Sequence, residues 1–147
     1  MKAQAMQAQP TTTVETIMTA QVYCVRPEMT VHEAIGLLLE KSIAGAPVID
    51  ASRKVVSVVS EGDLLKLASK VGLDKTIADC MDRLTKTSNL LTLKKTDSFA
   101  HAYMKILAHP VHRFIVVDEK GLLEGIVSRS NILRVVHESK KTQFSGA

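Results

Sequence analysis

Tryptophan is absent from this 147-residue chain, and aromatic residues make up only 3% of it. A ring-stacking platform for sugars or single-stranded nucleic acid therefore has little to be built from. Cysteine is almost as scarce. Cys24 and Cys80 stand alone, without a CxxC or any metal-ligand spacing, and read as reduced, buried thiols. No apolar run approaches the roughly 20 residues that span a bilayer. The N-terminal stretch has no apolar signal core. The expectation is a soluble, cytoplasmic protein without membrane contact. Charge of neither sign dominates: the net charge is +4 and the pI about 9.1. Scattered basic residues without interleaved aromatics make nucleic acid an unlikely partner.

What is present in quantity is aliphatic. Hydrophobic residues reach 46%, enough for one compact domain or two joined halves sharing a core of Val, Ile, Leu, Ala and Met. Their order repeats. Pro47-Val48-Ile49-Asp50 and Val58-Val59-Ser60-Glu61-Gly62-Asp63 return as Ile115-Val116-Val117-Asp118 and Ile126-Val127-Ser128-Arg129-Ser130-Asn131. Asp50 and Asp118, Ser60 and Ser128, and Asp63 and Asn131 are each 68 positions apart, as are Ala34 and Ala102. Met18 and Met81 are 63 apart, so a short insertion lies between residues 81 and 90. An internal duplication predicts two similar half-domains with approximate two-fold symmetry and a ligand-sized cleft between them.

The pattern within each copy is β-α-β-β-α, an α/β fold. Residues 1–13 and 139–147 are polar and read as flexible tails; residues 14–71 form the first copy and 72–138 the second. Val14 to Met18 is predicted as a short helical turn and Gln21 to Val25 as a strand. Thr30 and Glu33 form a capping box ahead of a helix burying Val31, Ala34, Ile35, Leu38 and Leu39. Strands follow around Val48–Asp50 and Val55–Val59. Ser60 then caps a helix that stops at Gly72.

Ser-x-x-Asp, at the junction of strand and last helix, is the motif with chemistry. It is a capping box by itself. The same helix N-terminus offers N–H groups and a positive dipole end to a phosphate, and the carboxylate can accept from ribose hydroxyls. The second copy keeps Ser128 but has Asn131, a neutral and weaker acceptor. No acid–base pair or nucleophile–His constellation accompanies either serine, so the reading is non-catalytic. His109 and His112 lack the further ligands a metal needs. His32, His101 and His137 read as solvated.

Taken in order and in both copies, Ile17-Met18-Thr19, Ala46-Pro47-Val48-Ile49-Asp50, Val58 to Leu65, His112 to Asp118 and Gly125 to Leu133 resemble the cystathionine β-synthase (CBS) domain. The tandem is similar to the paired arrangement called a Bateman module. The resemblance implies a regulatory module, with no bound cofactor beyond an adenosyl ligand such as AMP, ADP, ATP or S-adenosylmethionine. It also implies a homodimer formed through apolar helix faces and a regulated protein that the chain does not name. By position it places one site at Tyr23, Gly45, Ala46, Ser60 and Asp63, and another at Leu91, His112, Arg113, Ser128 and Asn131. His112, Arg113 and Arg129 make the second site the more basic, so phosphorylated adenosine is expected there. The first site, where Ser57 replaces a family glycine kept at Gly125, is expected to bind weakly, to take an uncharged adenosyl group or to stay empty. The alternative is a structural or oligomerisation module whose motifs only cap helices.

Overall fold

The computed structural model describes residues 12–86, 89–110 and 113–145. The chain divides into two compact units, one holding residues 12–21, 91–118 and 124–145, the other Val22–Leu90 with Glu119–Leu123. The first helix is thus separated from the repeat it begins.

In the Val22–Leu90 unit, α2 (Val31–Lys41) starts from the anticipated capping box: Thr30 Oγ1 accepts from the Glu33 N–H at 3.0 Å, and Glu33 Oε1 accepts from the Thr30 N–H at 3.0 Å. Its stripe of Val31, Ala34 and Leu38 is buried. Leu39 is not: it is 71% exposed, a correction to the expected stripe. At i+8 it stands about 80° round the helix from Val31, past the edge of the buried face. Strands β1 (Gly45–Ile49) and β2 (Val55–Ser60) pair antiparallel, Gly45 opposite Ser60 and Pro47 opposite Val58, with a bulge at Val48/Ile49. Asp50 Oδ1 closes their turn by accepting from the Ser52 and Lys54 N–H groups. The expected strand Gln21–Val25 contracts to one parallel bridge, Val25 with Val48. Helix α3 (Glu61–Val71) follows directly, and a 3₁₀ turn (Ala78–Arg83) brings Ile77, Cys80 and Leu84 into the core beside Val25, Val31, Ala34 and Val59.

The other unit repeats this plan. Its sheet runs in the order β3 (Thr92–Leu93), β4 (Arg113–Val117), β5 (Leu123–Ser128), with β3 and β4 parallel. Helix α4 (Phe99–Ala108), capped by Ser98, buries Phe99, Ala102 and Ile106. Helix α1 (Val14–Ile17) fills the place that the 3₁₀ turn fills in the other unit: Val14 is fully buried among Leu93, Phe99, Phe114 and Val127. Two bonds between Thr19 and Ile126, 2.8 and 2.9 Å, pin the chain after it.

The C-terminal expectation needs correcting as well. Helix α5 runs Arg129–Ser145, and Ser139, assigned above to a flexible tail, is buried with its hydroxyl on the Val136 carbonyl at 2.7 Å. Glu138, Lys140, Lys141 and Gln143 are good helix formers, and no glycine or proline interrupts the run before Gly146. The expected N-terminal tail falls mostly outside the described residues, but Thr13 bridges Ser98.

Candidate ligand-binding site

Among the described residues, each candidate set lies in one unit. In the Val22–Leu90 unit, β2 delivers Ser60 to the N-terminus of α3, where the expected box forms. Ser60 Oγ accepts from the Asp63 N–H at 3.1 Å. Asp63 Oδ2 accepts from the Ser60 N–H at 2.9 Å and from its hydroxyl at 3.0 Å. The Glu61 N–H is taken by the Ala44 carbonyl at 3.0 Å. Gly62, at the second helical position, keeps an N–H with no acceptor inside the helix. Ser60 is exposed and Asp63 partly so. The pairing of Gly45 with Ser60 brings the start of β1 beside the motif. A side chain there would be tight, because a Cβ would stand 3.0 Å from the Val59 carbonyl oxygen. Ala46 is buried in the sheet.

Tyr23 is 51% exposed, and Lys41 Nζ sits 4.8 Å from its ring centroid. That is cation–π range, and it adds to this set a positive charge that the motif comparison missed.

In the other unit Leu91 is half-buried and its carbonyl accepts from the Ile115 N–H at 3.3 Å. Arg113 opens β4, half-buried; His112 lies outside the described residues. Ser128 and Asn131 form a box of the same design with a different outcome. Asn131 Oδ1 accepts from the Ser128 N–H and hydroxyl, both at 2.7 Å. Its Nδ2 donates to the Ile17 carbonyl at 2.7 Å and, at the longer distance of 3.4 Å, to Thr19 Oγ1. Asn131 is 6% exposed.

The Ser60 hydroxyl donates to the Asp63 carboxylate and the Ser128 hydroxyl to the Asn131 amide oxygen. Both thiols are free, and burial pushes Cys24 and Cys80 up from the ordinary cysteine value. Among the described residues no group of three or more His, Cys, Asp or Glu is placed to hold a metal, and no helix is long and apolar enough to cross a membrane.

Strand, turn and helix in this order, written twice, are what the CBS-domain family model matches, over residues 14–70 and 77–138. The chain belongs to the CBS-domain family and carries the domain as a tandem pair. It is 31% identical, over 82% of its length, to the chloroplastic CBS domain-containing protein CBSX1 of Arabidopsis thaliana, and spans 61% of that protein. It is 29% identical to protein MJ1232 of Methanocaldococcus jannaschii over 79% of this chain and 36% of that one. The chain therefore spans between a third and two thirds of the length of these relatives. Among solved structures, CBSX2 from Arabidopsis thaliana in complex with AMP superposes with a TM-score of 0.74 at 34% identity, covering 88% of this chain and 98% of that one.

Proposed function

We propose that this chain is a non-catalytic regulatory module that senses an adenosine-containing ligand, with AMP the first candidate. The observation that carries the reading is the Ser60–Asp63 box: an accessible serine, an open N–H at Gly62 and a partly exposed carboxylate at the start of an 11-residue helix. By position Tyr23, Gly45 and Ala46 are its base contacts, and Lys41, over the Tyr23 ring and 3.7 Å from Glu40 Oε1, is the cation of the same set. The solved complex of CBSX2 with AMP supports the ligand class. Leu91, His112, Arg113, Ser128 and Asn131 stand at the corresponding positions of the second copy, where the Asn131 amide is already engaged by Ser128, Ile17 and Thr19.

Binding acts by population shift. A ligand that prefers one conformer raises its share, and a partner protein reads the difference. Exposed Leu39, Leu65, Met104, Leu107 and Leu133 on the helices provide apolar area for a homodimer. Two free thiols fit a reducing compartment such as the cytoplasm.

The second reading, an oligomerisation module without a ligand, is favoured by one observation: both boxes are already closed by their own residues, as pure helix caps would be. Thermal-shift and calorimetric titration with AMP, ADP, ATP and S-adenosylmethionine separates the two. A ligand at 100 times its Kd stabilises the folded chain by about 2.7 kcal/mol. Asp63→Ala abolishes that shift on the sensing reading; an unliganded module shows none with any of the four compounds.

A further inference from the structure

The two copies of the motif have the same spacing but their polar residues are used in different directions. Asn131 has two acceptor sites on its oxygen and two donors on its nitrogen, and all four are occupied within its own unit: Ser128 N–H and hydroxyl on one side, the Ile17 carbonyl and Thr19 hydroxyl on the other. It is also nearly sealed from solvent. Asp63 differs on each count. Oδ2 is bonded to Ser60, while Oδ1 has no hydrogen-bond partner among the described residues, and the side chain reaches solvent. A carboxylate could not replace Asn131, because it has no proton to give the Ile17 carbonyl.

That carbonyl needs one. It belongs to the last turn of a four-residue helix, where carbonyls have no intrahelical partner, and a helix this short does not hold itself together in water.

We propose that the two motifs have divided their work, Ser60–Asp63 being the single adenosyl site of the chain and Asn131 a positioning residue that latches α1 and Met18–Thr19 onto their unit. This rests on the sensing reading above and reverses the preference inferred from the basic residues of the second copy. Its consequence is one ligand per chain, where two intact motifs would give two.

Calorimetric titration of AMP into the full chain tests it together with amide exchange at Met18 and Thr19. The wild type binds one equivalent. Asn131→Ala leaves stoichiometry unchanged and Kd within about twofold, lowers Tm by about 5 °C as expected for a buried hydrogen-bonding group removed, and speeds exchange at both amides. Asn131→Asp, which keeps the acceptor and loses the donor, also speeds exchange and gains no second site. Two equivalents bound by the wild type, a second site in Asn131→Asp, or an Asn131→Ala chain that loses AMP while keeping its Tm and amide protection would overturn the division. A wild type that binds none of the adenosyl compounds overturns the sensing reading and the assignment of the site with it. The latch is then decided by exchange alone, and unchanged protection in both variants refutes it.

Discussion

Gly125 and Ser57 occupy the same place in the two copies, and their surroundings explain why they differ. A Cβ at Gly125 would lie 2.8 Å from the Thr19 carbonyl oxygen and 2.8 Å from Met18 Sδ. The thioether can swing aside, but the carbonyl is fixed by its bond from the Ile126 N–H. Gly125→Ala therefore destabilises the chain by about 1–3 kcal/mol, the usual range for overpacking a filled core; denaturant midpoints at constant m-value measure it. In the other unit the position holds a side chain. Ser57 is fully buried there and its hydroxyl donates to the Thr85 carbonyl at 2.8 Å. The missing glycine is a local accommodation to the inserted segment that begins after Met81. Seen as letters, Ser57 counts against the first motif. Seen in place, it lies on the inward-facing side of β2, opposite Val48, and is silent about ligand.

At the scale of elements, what was legible came from short-range chemistry. The Thr30–Glu33 box, the Ser60 cap and the Gly72 stop are decided by the residues at and beside them, and each stands where the letters put it. Thr30→Ala removes the acceptor of the Glu33 N–H and costs about 1 kcal/mol, seen as a lower Tm with unchanged circular-dichroism shape. What was illegible depended on distant partners. Gln21–Val25 has strand-like composition, yet only Val25 finds a neighbour to pair with. Leu39 has the right spacing and lies beyond the buried stripe. Lys41 became a candidate contact only once Tyr23 was seen beneath it. Asn131 looked like a weakened ribose acceptor because nothing in its neighbourhood names Ile17, 114 residues away, as the group it serves.

For the whole molecule, the repeat in the sequence and the unit in space are offset. The sequence copy starts at Val14, but Val14 and Met18 pack with Phe99 and Phe114, while Ile77, Cys80 and Leu84 pack with Val25 and Val31. A fragment covering residues 22–90 carries a complete buried cluster. A fragment covering 12–71 carries α1 without the core that buries it and lacks the 3₁₀ turn. The first therefore melts cooperatively and the second does not, a contrast that circular dichroism against temperature reads directly. Ligand sensing, if it resides at Ser60 and Asp63, travels with the former piece.

Because α1 and the 3₁₀ turn are exchanged in this way, a recombination event that moved one repeat at its apparent sequence boundary would transplant a segment with no home and leave a hole behind. Selection on gene fusions would then retain only crossovers that carry both copies. The pair, rather than the single repeat, becomes the smallest heritable piece.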